Sequence, residues 1–117
     1  MNEPDMPEIT ADMSAAQASF ERDGFVIAGG LCPPEQLQRM RLSVERDLAA
    51  ALAPVEYEAD VAYPGAPSGR EAPGGHTVRR LLDALGRDPV FADWACCSAM
   101  TRWARGLLGT RRIRVMR

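Results

Sequence analysis

Apolar positions in the central part of the chain recur at helical spacing. From Pro34 onward, Leu37, Met40, Val44, Leu48 and Leu52 fall three to four residues apart, while Arg39, Glu45, Arg46 and Asp47 lie largely off that stripe. This predicts a helix entered at Pro33-Pro34, whose fixed φ suits a first turn, with Glu35 near its positive end and Pro54 beyond its last turn. Fully burying such side chains is worth roughly 1.5–3 kcal/mol each, so the stripe calls for a partner surface.

Upstream, residues 13–23 are rich in Ala, Gln, Glu and Arg, which favour helix. Asp12 or Ser14 is a candidate N-cap, and Gly24 is placed to end the helix in the left-handed conformation. Phe25, Val26 and Ile27 read as a short strand closed by Gly29 and Gly30. Residues 1–12, with Pro4 and Pro7 and little to bury, read as a disordered tail. Prolines and glycines crowd residues 54–75, which predicts a long flexible loop anchored by Tyr57 and Tyr63.

Beyond the loop, Val78, Leu81, Leu82 and Leu85 predict a third helix, capped by His76 or Thr77 and ended at Gly86. Asp88-Pro89 makes an N-cap and N1 pair for a fourth helix bearing Phe91, Trp94 and Ala95. The helix restarts at Ser98 and runs through Met100, Trp103, Ala104, Leu107 and Leu108 to Gly109. Residues 113–116 alternate as a half-buried strand does. The expected fold class is therefore mainly α with two short β-strands, at 25–27 and 113–116.

Composition narrows the function classes. With 117 residues, 46% of them hydrophobic and 26% charged, the chain has the makeup of one soluble globular domain. It lacks both a membrane-length apolar run and a secretory start, which leads to the expectation of a cytoplasmic protein with no membrane partner. Cys32, Cys96 and Cys97 lack metal-ligand spacing and read as reduced thiols. All 14 basic residues are arginine, and six of them fall between Arg102 and Arg117. That cluster hints at phosphate contacts, but the net charge is −2 and no stacking aromatics or reader motif accompany it, so no nucleic-acid partner is expected.

Two sets of residues carry a family resemblance. The first is Glu21-Arg22-Asp23-Gly24-Phe25-Val26, followed by Leu31-Cys32-Pro33-Pro34-Glu35. The second is Asp88-Pro89-Val90-Phe91, followed by Trp103 to Gly109, which ends in Leu107-Leu108-Gly109. In this order and spacing, over roughly residues 17–117, they resemble the N-terminal portion of the phytanoyl-CoA dioxygenase family. That resemblance implies the helical part of a double-stranded β-helix (jelly-roll) oxygenase fold with the barrel core absent, so that 13–117 is a partial domain. It also implies a non-haem Fe(II), 2-oxoglutarate-dependent oxygenase that hydroxylates a small organic substrate. Family members hold iron with a His-x-Asp pair and a distal His. This sequence has one histidine, His76, followed by Thr77 and Val78, so no metal ligand and no catalytic residue carries over. The resemblance would set Arg117 within the strand that precedes the ligands.

Five residues are candidate substrate contacts: His76 between loop and helix, Arg79 and Arg80 as partners for an anion, and Arg114 and Arg117 on the expected last strand. Ordinary solvent-facing roles for the same residues stay open. Two functions follow. The chain is an oxygenase part, inactive alone and completed by a missing C-terminal barrel, or it is a small non-catalytic helical interaction module. In either case unpartnered helix stripes are expected to promote self-association and marginal stability.

Overall fold

A computed structural model describes residues 11–116. It is mainly helical, with a two-stranded antiparallel sheet. The elements are α1 (Ala11–Asp23), α2 (Pro34–Ala49), β1 (Val55–Tyr57), β2 (Val78–Leu81), α3 (Ala84–Arg87), α4 (Pro89–Ala95) and α5 (Ser98–Leu108). They fall into two compact units. One gathers residues 11–33 with residues 92–116, and the other is Pro34–Phe91. Among the described residues, no helix is long and apolar enough to cross a membrane.

In the first unit α1 packs on α5. Met13 and Ala16 of α1 are buried, with Gln17 and Phe20 half-buried on the same face, which is the i, i+3, i+4, i+7 pattern of one helix side. Gly106 makes the close approach possible, because a Cβ there would come within 2.6 Å of the Met13 sulfur. The Gln17 side-chain amide donates to the Gly106 carbonyl. The expected glycine stops are present. Gly24 has φ 79° and its N–H donates to the Phe20 carbonyl, while Gly109 has φ 62° and donates to the Arg105 carbonyl.

Both expected strands of this unit are absent. Residues 25–27 and 113–116 form no ladder, and Phe25 and Ile27 are 62% and 87% exposed. Apolar alternation makes a strand only where a neighbouring strand accepts its backbone groups, and among the described residues none lies beside either segment. Residues 1–10 of the expected tail lie outside the described residues. Ala11 and Asp12 open α1, so Asp12 and Ser14 sit inside the helix rather than before it.

The second unit holds the sheet. β1 and β2 pair with Val55 opposite Leu81, Glu56 opposite Arg80 and Tyr57 opposite Val78. The register shifts between Glu56 and Tyr57, so Arg79 is the extra residue of a bulge. The expected third helix over 78–85 is thus a strand, a left-handed Asp83 (φ 54°) and the one-turn helix α3. Val78, Leu81, Leu82 and Leu85 fit helical spacing, but β1 offered Val78 to Leu81 a partner, and tertiary pairing overrode the local pattern. Residues 54–75 likewise contain β1, a 3₁₀ turn (Glu58–Asp60) and a run of hydrogen-bonded turns. Gly75, which is buried, has no room for a Cβ against the Gly69 carbonyl.

The face that α2 buries lies beside the apolar stripe and shares only Met40 with it. Ser43 and Asp47 are buried and Gln36 and Met40 are half-buried, whereas Leu37, Val44 and Leu48 are exposed. The reason is Arg87, whose side chain is only 6% exposed. Its guanidinium donates to Asp47 at 3.2 Å, to the Leu52 carbonyl at 2.9 Å, to the Leu82 carbonyl at 2.6 Å, and to the Pro54 carbonyl. Burying that cation required an acid on the inward side of α2. The rest of the apolar stripe, Leu37, Val44 and Leu48, therefore faces outward. Leu52 lies past the end of α2, after a left-handed Ala51 (φ 43°).

Candidate functional site

The richest cluster of polar side chains is on the hairpin of the second unit. Arg80 grips Glu56 with Nε at 2.9 Å and Nη2 at 2.7 Å. Because of the bulge, Arg79 reaches the same carboxylate at 3.3 Å and Glu58 at 3.7 Å. Arg70, from the connecting loop, grips Asp60 with Nε at 2.9 Å and Nη2 at 3.1 Å and lies over the Tyr57 ring at 4.7 Å. Asp60 also accepts the Tyr57 backbone N–H. Tyr63 donates its phenol proton to Glu58 at 2.6 Å, and Arg79 lies over the Tyr63 ring. The two tyrosines expected to anchor the loop do so.

The electrostatics follow from these contacts. The Arg80 hydrogen bond holds the Glu56 carboxyl below its ordinary range, and the Arg70 hydrogen bond does the same for Asp60, helped by the Tyr57 N–H. Asp47 is held low by its hydrogen bond to Arg46, with Arg87 adding to it against the cost of burial. Tyr63 is raised by its bond to the Glu58 carboxylate. Such pairing stabilises charges that are already opposite, and it favours the ionised forms of Asp47, Glu56 and Asp60 rather than an acid role near neutrality.

His76, Arg79 and Arg80 do come together on this hairpin. His76 does not cap a helix; it is exposed and stacks on Tyr57 with ring centroids 4.5 Å apart. Arg79 and Arg80 are engaged with carboxylates of their own chain. Arg114 belongs to the other unit, where it lines a cavity beside α5. Arg117 lies outside the described residues.

The iron implied by the resemblance does not fit. Among the described residues, no three His, Cys, Asp or Glu side chains converge as a metal-binding group. The imidazole of His76 is packed against the phenol ring of Tyr57.

Two groups escaped the sequence pattern. Arg87 and Asp47 are 40 residues apart, and nothing local marks either as buried. Arg105 follows Thr101 by one helical step and precedes Leu108, so it lies on a partly apolar side of α5, and that was the available signal. Its Nε is buried without a hydrogen-bond acceptor among the described residues, a situation that costs roughly 1–3 kcal/mol.

Compared with known proteins, the chain matches no family model, no curated protein and no solved structure.

Proposed function

We propose that the chain is the N-terminal helical part of a phytanoyl-CoA dioxygenase-like oxygenase of the cytoplasm. It supports a jelly-roll and lacks catalysis of its own. The observation that carries this is the agreement between the resembling motifs and the helix boundaries. Asp23-Gly24-Phe25 closes α1, Pro34-Glu35 opens α2, Asp88-Pro89 opens α4 and Leu107-Leu108-Gly109 closes α5. Fe(II), 2-oxoglutarate and the small organic substrate would be held by a barrel supplying His-x-Asp and a distal His, because this sequence has a single histidine.

One observation favours a second reading, a non-catalytic interaction module. The outward stripe of α2 offers Leu37, Val44 and Leu48 to a partner or to a second copy. Complementation separates the two. The purified chain is mixed with a jelly-roll polypeptide of the family truncated of its own helices, and succinate formation from 2-oxoglutarate is followed. Turnover that needs both pieces supports the oxygenase reading. A stable complex without turnover, or no complex, overturns it, and the former favours the module.

A further inference from the structure

The cavity beside α5 has a volume of about 400 Å³, within the range of small-molecule sites. Met100, Ala104, Leu108 and Ile113 give it apolar walls, and among the described residues the charged ones lining it are Arg105 and Arg114. Among the described residues, no carboxylate lines it. Elsewhere in the chain, arginine is used in one repeated way. Arg70 and Arg80 each present Nε and Nη2 to the two oxygens of a carboxylate. Arg105 has the same planar fork, but its buried Nε has no acceptor among the described residues. A guanidinium at an apolar wall matches a two-oxygen anion in shape and charge, and a turn of the Arg105 side chain would bring its buried Nε–H edge to the cavity. The apolar walls would cover the remainder of such a ligand.

We propose that this cavity binds a small organic monoanion, a carboxylate on a compact apolar body, with Arg105 gripping the head group and Met100, Ala104 and Leu108 packing the body. Arg114 adds a second positive charge at the same cavity. This site is separate from the hairpin cluster, and its occupancy does not depend on the oxygenase reading.

Naphthalene-2-carboxylate is the probe, titrated calorimetrically into the full chain beside the neutral naphthalene-2-carboxamide and beside acetate. The expected result is one carboxylate per chain, bound at least tenfold more tightly than the carboxamide, with no saturable binding of acetate. The R105Q variant is expected to lose that tenfold advantage. Ala104→Phe, which fills the cavity, is expected to abolish binding of both aromatic probes. Cys96 also lines the cavity and is exposed, so it reports the location in the unaltered protein. Naphthalene-2-carboxylate should slow its alkylation by iodoacetamide at least threefold, read by peptide mass spectrometry. Equal affinities for carboxylate and carboxamide, or saturable binding that leaves the Cys96 rate unchanged, would overturn the proposal even if both variants failed to fold.

Discussion

The two units are held together by different physics. In the first, α1 meets α5 through small and flexible apolar groups, and the decisive feature is a missing side chain at Gly106 filled by Met13. In the second, the decisive feature is an added charge. Arg87 is buried and ties α2, the 52–54 turn and the end of β2 through one guanidinium. The carboxylates held below their ordinary range, Asp47, Glu56 and Asp60, all belong to that second unit. Close packing tolerates changes of pH and punishes added volume. A charge clamp tolerates volume better and punishes loss of a partner or a proton gained.

The largest effect is therefore expected from Arg87→Met. It leaves Asp47 buried without its inward cation and takes the Arg87 donors from the Leu52 and Leu82 carbonyls, while the Pro54 carbonyl keeps the Leu82 N–H; breaking a buried pair in this way typically costs about 3–5 kcal/mol. Urea unfolding followed by circular dichroism measures it. Gly106→Val comes next, because its methyls must displace Met13, and overpacking of this kind costs about 1–3 kcal/mol in the same assay. Gly109→Ala should cost about 1 kcal/mol, since the residue sits at positive φ with open space around it, so backbone strain alone is at stake.

Acid sharpens the contrast further. Folded Asp47, Glu56 and Asp60 bind protons less readily than their unfolded counterparts, so the stability they contribute is present above the unfolded carboxylate pKa, near 4. It is lost as pH falls through the lower folded values. Amide exchange in Val55–Tyr57 and Val78–Leu81 should accelerate as pH falls from 5 towards 2, after correction for intrinsic rates, before that of α1 and α5 does.

Much of the helical outline was legible in the sequence. Gly24, Pro34, Asp88 and Gly109 act through their own backbone or side-chain chemistry, so their positions mark α1, α2, α4 and α5 without tertiary information. What was not legible depended on distant partners. Val78 to Leu81 became a strand because of Val55 to Tyr57, and α2 turned its apolar stripe outward because of Arg87. Residues 25–27 and 113–116 had strand-like patterns and met no strand among the described residues. Of the candidate site, the pattern found His76, Arg79 and Arg80 as neighbours near a loop, but not the acids that engage both arginines. The buried Nε of Arg105 is a property of packing that no local pattern states.

Residue-resolved amide hydrogen exchange on Arg87→Met and Gly106→Val, measured side by side at neutral pH, tests the contrast most directly. Arg87→Met is expected to release protection in α2, β1 and β2 while α1 and α5 keep theirs, and Gly106→Val is expected to do the reverse. Loss of protection spread evenly over all of these elements in both variants would show one cooperative unit with a shared basis of stability, and would contradict the division into a packed unit and a charge-clamped one.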